Sequence, residues 1–274
     1  MQENKYKISR IILAVIMLLL GVLMMVPVLW MVVTSFKTKG EIYLPNWIPS
    51  VITMENYETV FSKIPVLKMI GNSLFVSGVA TFFQLLIGTL AAYAFARIRF
   101  VGRNIIFTIF LGTMMIPGYI LTIPLYLIVD KLGMVNTLAA LILPRLVSVF
   151  AIFMLRQFFY SIPRELDESA FIDGASRFRV LFQIIVPLSK SAYAALLIFS
   201  FMNMWNDFMW PLIVTNSETM RTIQVGIAYF KDSNTMDYGA TMAASLLASI
   251  PILVVFLIAN RSFVQGITMT GIKG

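Results

Sequence analysis

Few residues in this chain could do chemistry. Its 274 residues include no His and no Cys, which excludes disulfides, thiolate chemistry and the usual near-neutral acid–base group. No GxxxxGK[S/T] phosphate-binding loop occurs either, so we expect no catalytic site, no metal site and no cofactor in this chain. The side-chain groups that remain for binding or ion pairing are carboxylates, amides and guanidiniums. They concentrate in a charged segment at 161–190 and a polar group at 203–207.

The charged segment begins like the N-terminus of a helix. Pro163 suits a first helical turn, and the acids Glu165, Asp167 and Glu168 lie near the positive end of the helix dipole. These features predict a short helix that runs to about Ile172.

A turn and a second helix should follow. Asp173-Gly174 is typical of a turn, because glycine tolerates a positive φ and aspartate can accept from local backbone donors. Ser176 can cap the second helix, and Pro187 should interrupt or end it. The apolar side of this helix should hold two i, i+4 pairs, Phe178 with Phe182 and Leu181 with Ile185. The segment predicts a helix-turn-helix at a membrane surface, and an ordinary interfacial amphipathic loop is the alternative.

The composition is that of an integral membrane protein. With 59% apolar and 12% charged residues and a mean hydropathy of +0.87, a soluble domain could not bury its apolar surface. We therefore predict an all-α polytopic protein surrounded by membrane lipid. Its six apolar runs lie at 11–33, 72–95, 105–129, 137–158, 192–214 and 239–260. The first follows Lys5, Lys7 and Arg10, and we interpret it as an uncleaved span.

Charge distribution predicts the orientation of these spans. With both termini and the charged segment in the cytoplasm, thirteen of the 21 Lys and Arg residues lie on that side and seven in external loops. This bias fits the positive-inside rule and predicts a multi-pass protein of the cell (plasma or inner) membrane. The net charge of +8 does not indicate a nucleic-acid partner, because the basic residues flank apolar spans.

The polar group at 203–207 lies in the fifth predicted span. Asn203, Asn206, Asp207 and Trp210 are spaced i, i+3, i+4 and i+7, which predicts one shared helical face. A carboxylate near the centre of a span costs about 2.5 to 3.5 kcal/mol, so Asp207 should face protein or water. Arg145, in the fourth span, reaches the outer interface in our interpretation, with cavity lining as the alternative.

The charged segment resembles a known family signature. Its residues are Glu168, Ser169 and Ala170, then three residues and Gly174, then nine residues and the Ile184, Val186 and Pro187 positions. This resembles the Glu-Ala-Ala loop of permease subunits of bacterial ABC importers, with Ser for Ala at 169 and Val for Leu at 186. The Asp173-Gly174-Ala175 core, the IPREL lead-in and the FVQGITMTGIKG tail resemble more narrowly the carbohydrate branch, the smaller permease of maltose-type systems.

The resemblance extends from about residue 71 to the end and implies a domain division and a set of partners. Residues 1–70 would form an N-terminal span and external loop, and 71–274 a type I importer transmembrane domain with the coupling loop at 161–190. The partners would be a second permease, an ATPase dimer that binds ATP and Mg, an extracytoplasmic solute-binding protein and a carbohydrate. The ATPase-coupling residues would be Glu168, Ser169, Ala170, Asp173, Gly174, Ala175 and Pro187. Asn203, Asn206 and Asp207 would line the pathway.

Three other functions stay open at this point. An ion-coupled secondary transporter could use Asp207 as its titrating carboxylate, although no inverted repeat is evident. An importer permease could carry a non-sugar solute such as a polyamine, phosphate or peptide. A structural membrane scaffold is the third alternative.

Overall fold

A computed structural model describes residues 2–231 and 236–270, with side chains for 10–231 and 236–259. The end of the tail motif, 271–274, therefore lies outside the described residues, as do 232–235. The regular elements of the described residues are all helices, with no strand, which confirms the all-α polytopic class.

Four helical stretches are long and apolar enough to cross a membrane by themselves, namely Arg10–Ser35, Val66–Arg97, Leu138–Ser161 and Tyr238–Ala259. Two bent pairs raise the number to as many as six among the described residues, if each pair is one span. The pair Arg103–Thr113 and Gly118–Lys131 bends by 89°, at Pro117-Gly118. The pair Arg177–Leu188 and Lys190–Trp205 bends by 80°.

The chain forms two compact units. The first comprises 1–66 and 226–249, with helices α1 (Gln2–Ser35) and α2 (Glu55–Lys63) and the first turns of α14 (Tyr238–Thr270). Buried Asn56 fixes its loop, donating from Nδ2 to the carbonyl oxygens of Ser35 at 3.0 Å and Lys37 at 2.8 Å. The external loop predicted after the first span therefore contains a helix, α2, and a buried polar anchor.

The second unit comprises 67–225 and 250–274. The domain division into 1–70 and 71–274 that the family resemblance implies stays a prediction. The helices of the second unit are α3 (Val66–Arg97), α4 (Arg103–Thr113), α5 (Thr122–Lys131), α6 (Leu138–Ile142), α7 (Val149–Ser161), α8 (Glu165–Ile172), α9 (Arg177–Val180), α10 (Val186–Leu188), α11 (Lys190–Trp205), α12 (Met209–Val214), α13 (Ile223–Ala228) and the end of α14. Short 3₁₀ segments cover Gly118–Leu121 and Leu143–Arg145, and a π-helical turn covers Leu181–Ile185.

Small residues let α3 pack closely in this unit. A Cβ at Gly88 would lie 3.4 Å from the Ala151 Cβ and 3.6 Å from Leu155 Cδ1 of α7. Weakly polar residues spaced every three or four positions along α3 are also buried, namely Ser73, Ser77, Thr81 and Gln84. Small residues at helix contacts give close packing in lipid, so this side of α3 is a packing face.

The fifth predicted span is not one helix. α11 ends at Trp205, Asn206 has φ −87° and ψ 0°, and α12 begins only at Met209. The prediction that Asn203, Asn206, Asp207 and Trp210 share a single helical face is therefore wrong.

Candidate functional site

The charged segment forms an elbow of two helices, residues 163–188. α8 ends at Ile172, and Gly174 takes φ +77°. Two backbone bonds close the turn, from Ala175 N to Ala170 O at 2.9 Å and from Gly174 N to Phe171 O at 3.0 Å. This is a Schellman motif, which satisfies the last carbonyls of a helix and favours glycine at the left-handed position.

The second arm of the elbow is capped and anchored. Ser176 Oγ accepts from Arg179 N at 3.3 Å, and the helix continues to Leu188, one residue past Pro187. Leu181 and Ile185 are buried against α3 and α7 in one apolar cluster. Phe178 and Phe182, by contrast, are 68% and 47% exposed, so they do not join Leu181 and Ile185 in this cluster. The π-helical turn lies in the same arm.

The outer surface of the elbow combines carboxylates with large apolar side chains. Glu168 and Asp173 are exposed, and neither carboxylate makes a hydrogen bond or ion pair with another described residue. Ile172 is 86% exposed beside them. Ala170 and Ala175 are partly buried against the apolar cluster, so they support the turn from inside.

A buried ion pair attaches the elbow to the end of α3. Arg97 Nε lies 3.1 Å from Asp167 Oδ2, with side chains only 4% and 7% exposed, and Arg97 Nη2 donates to Ile162 O at 2.9 Å. The pairing is incomplete, because Arg97 Nη1 and Asp167 Oδ1 are buried without a hydrogen-bond partner in the described structure. The Nε contact also lacks the alignment of a hydrogen bond.

Burial dominates the electrostatics of this pair. Desolvation raises the pKa of the Asp167 carboxyl, and the Arg97 and Arg164 guanidiniums lower it only in part. The attraction between the two charges therefore offsets only part of the free energy that burial of the carboxylate costs, as is common for buried pairs. Its effect is to fix position, because either charge alone in this place would be still less favourable.

The polar group at 203–207 lines a cavity of about 760 Å³. Its walls include Gly118 from the break after α4, Pro144 and Arg145 from the 3₁₀ segment before α7, and Asn206 and Asp207 from the break after α11. Non-helical backbone at membrane depth is tolerated where it lines a cavity or is buried in protein. Three broken helices therefore meet at one polar cavity.

The cavity contains a second ion pair. Arg145 Nη2 lies 2.9 Å from Asp207 Oδ2, with side chains 38% and 19% exposed. Gln84 Nε2 donates to Arg145 O at 2.7 Å, and Trp210 N donates to Asp207 Oδ1 at 3.4 Å. Arg145 thus lines the cavity, as in the alternative interpretation from sequence.

Aromatic and amide side chains complete the lining. Tyr119 and Phe199 are 78% and 55% exposed, and Asn203 also lines the cavity. Gln224 Nε2 donates to Asn206 Oδ1 at 3.3 Å. Asn203, Asn206 and Asp207 are thus brought together by a chain break and not by a helical face.

Neither ion pair was predicted from the sequence. Arg97 reads as one of several basic residues in a connector, and its partner Asp167 as one of several acids in a first turn. An isolated basic residue inside a predicted span was the one available signal for the Arg145–Asp207 pair, since charges in lipid are usually paired.

We expect the two partners of the Arg97–Asp167 pair to be strongly coupled. Arg97→Met or Asp167→Leu alone should lower the free energy of unfolding by about 3–5 kcal/mol, because each leaves an uncompensated buried charge. The double variant should restore stability to within about 1 kcal/mol of the parent protein. Denaturant titration in mixed micelles measures these values.

The exposed pair Lys39–Glu55, at 3.2 Å with side chains 62% and 47% exposed, is the matched control. Glu55→Gln should change stability by less than about 1 kcal/mol. Additive losses in the Arg97–Asp167 double variant would contradict the assignment of a coupled buried pair.

Comparison with known proteins is consistent with this architecture. Residues 84–269 match the family model described as "Binding-protein-dependent transport system inner membrane component". In overall fold the chain is similar to a chain in the crystal structure of a bacterial ABC transporter involved in the import of the acidic polysaccharide alginate. The TM-score is 0.81 at 21% identity, covering 94% of this chain and 97% of the other.

Two curated relatives cover nearly the whole chain. The arabinooligosaccharides transport system permease protein of Halalkalibacterium halodurans is 35% identical, covering 90% of this chain and 91% of that protein. The trehalose/maltose transport system permease protein of Thermococcus litoralis is 34% identical, covering 97% and 98%. The resemblance to carbohydrate-importer permeases is confirmed, and the chain belongs to the family of binding-protein-dependent transport system inner membrane components.

Proposed function

We propose that this chain is one of two permease subunits of an ATP-driven importer that moves a sugar or oligosaccharide across the inner membrane. The names of its relatives, which refer to arabinooligosaccharides and to trehalose or maltose, support the substrate class. The remaining partners are a second permease, an ATPase dimer and an extracytoplasmic solute-binding protein. ATP and Mg are bound by the ATPase.

The elbow couples this chain to the ATPase. The observation that carries this proposal is an exposed outer surface on a firmly anchored segment. Ile172 and Phe178 are 86% and 68% exposed, and large apolar side chains of this kind are typical anchors of protein interfaces. The Glu168 and Asp173 carboxylates beside them can accept charge-assisted hydrogen bonds from basic groups of a partner.

Anchoring makes the elbow an effective lever. The apolar cluster joins its second arm to α3 and α7, and Arg97 joins its first arm to the end of α3. Movement of a partner against the elbow therefore reaches α3 through packed and paired groups. Ser169, Gly174 and Pro187 contribute by shaping the elbow, and Ala170 and Ala175 by packing beneath it.

The cavity forms this subunit's part of the sugar pathway. Its volume of about 760 Å³ is within the range of about 300 to 1,000 Å³ of small-molecule sites. The amides of Asn203 and Asn206 can bond hydroxyl groups, and Tyr119 and Phe199 offer apolar faces. Because Arg145 neutralises Asp207, the lining suits an uncharged solute.

The orientation follows from charge. Placing both termini and the elbow in the cytoplasm assigns thirteen Lys and Arg residues to that side and seven to the outside. In this orientation the elbow faces the ATP-containing compartment. The Arg145–Asp207 pair also weakens the alternative of an ion-coupled transporter, because the carboxylate already has a cationic partner.

Variants at Gly174 test coupling by the elbow. At φ +77° a β-branched side chain is strained, and a left-handed residue other than glycine costs about 1–2 kcal/mol, although asparagine is tolerated. In proteoliposomes containing the whole complex, we expect Gly174→Val to lower ATP-driven oligosaccharide uptake at least about tenfold. Gly174→Asn, the matched control, should retain most of it.

Ionophores added to the same proteoliposomes separate the two transport classes. Uptake by the parent protein should require ATP and persist when ion gradients are dissipated. Uptake that needs no ATPase and stops with the ion gradient would show that the importer assignment is wrong.

Variants of the cavity test the pathway. Asn203→Leu and Asn206→Leu each replace a hydrogen-bonding amide by an apolar group, so oligosaccharide uptake should fall by about tenfold for one lost bond. Asn216→Leu is the control, because Asn216 is exposed and does not line the cavity. Basal ATP hydrolysis should be unchanged in all three variants. Equal uptake by the cavity variants and the control would contradict the proposal that the cavity lines the sugar pathway.

A further inference from the structure

The connector between α3 and α4 borders a smaller, basic cavity that is separate from the polar cavity at 203–207. Its volume is about 380 Å³, and it is lined by Arg99, Phe100, Gly102, Arg103, Asn104 and Ile105. Gly102 takes φ +78°, and Arg103 N donates to Phe100 O at 3.3 Å to close the turn. The two guanidiniums thus border the same space.

These guanidiniums are less engaged than three other arginines of the second unit. Arg97 and Arg145 are in ion pairs, and Arg156 lies 3.8 Å over the Phe107 ring. Within the described residues, Arg99 makes no ion pair or hydrogen bond, and Arg103 makes only a long one, from Nη1 to Ile98 O at 3.4 Å. No carboxylate lines the cavity. The space therefore offers two free, planar donors to an anion.

Exposed apolar side chains adjoin the same arginines. Val101 is 99% exposed, Ile105 69% and Phe100 40%. The connector also joins the end of one membrane-spanning helix, Arg97, to the start of the next apolar helix, Arg103. A position between two span ends lies at the depth of the lipid headgroups, whichever side of the membrane it faces.

We propose that Arg99 and Arg103 bind the phosphate of an anionic lipid headgroup, with Phe100, Val101 and Ile105 against its acyl chains. Guanidinium groups bond phosphate oxygens in a bidentate manner, and basic residues beside spans attract anionic lipids. A soluble phosphate would satisfy the same guanidiniums, but it would leave the apolar side chains in water. The combination of two guanidiniums with exposed apolar side chains therefore favours the lipid.

Native mass spectrometry of the purified complex in neutral detergent tests this site. The probes are phosphatidylglycerol, phosphatidylcholine and inorganic phosphate. Arg99→Gln and Arg103→Gln should each weaken phosphatidylglycerol binding by about fivefold, and together by about 25-fold, since each basic group contributes about 1 kcal/mol. Phosphatidylcholine binding should not change.

Two further variants make the result specific. Lys5→Gln with Lys7→Gln removes the same charge from another segment beside a span and should change phosphatidylglycerol binding by less than about twofold. Val101→Ser should weaken lipid binding without affecting any binding of inorganic phosphate. The proposal is overturned if the double arginine variant binds phosphatidylglycerol like the parent, if the lysine control loses as much, or if inorganic phosphate displaces the lipid at equal concentration.

Discussion

The buried pair of Arg97 and Asp167 is the constraint on which the proposed coupling depends. It joins the last residue of the long helix α3 to the first turn of the elbow at 3.1 Å, and a hydrogen bond from Arg97 to Ile162 adds the chain segment between α7 and α8. The raised pKa of Asp167 shows that burial outweighs attraction, so this pair is better understood as a positional device than as a source of stability. Without it, the elbow would keep its apolar packing through α9 and the π-helical turn, but α8 would lose its polar connection to α3.

An arginine–carboxylate pair also lies in the cavity at 203–207. Three helices are broken where they border it, and the backbone groups freed by a break need polar surroundings. The Arg145–Asp207 pair places two opposite charges in the cavity lining, and together they add no net charge. Both side chains stay partly exposed, at 38% and 19%. A chain with no His and no Cys thus organises its two polar regions with arginine–carboxylate pairs. The Arg97–Asp167 pair is buried between α3 and the elbow, and the Arg145–Asp207 pair lines the cavity.

Sequence alone predicts the features whose causes are local. Gly174 and Ser176 mark the turn and the cap because each acts on its own neighbours, and the structure has these elements at those residues. The Pro117-Gly118 break is visible for the same reason. The prediction that Pro163 lies in the first helical turn is wrong, because α8 begins two residues later, at Glu165. The break at Asn206 itself carries neither Gly nor Pro, but Pro211 follows it and cannot donate a backbone hydrogen bond to the Asp207 carbonyl. A local signal for this break was therefore present, although a continuous span was predicted there. The two ion pairs and the exposure of Phe178 depend on contacts between distant segments, which no local pattern specifies.

Site-specific crosslinking from the elbow tests the central claim most directly. The chain contains no Cys, so Ile172→Cys introduces a single thiol at a side chain that is 86% exposed. A thiol-reactive photocrosslinker at this position should join the chain to the ATPase subunit in the assembled complex. The same reagent at Phe82→Cys, on α3 and 61% exposed, should not. Crosslinking to the ATPase from neither position in an intact complex, or equally from both, would contradict the account of the elbow as the coupling element.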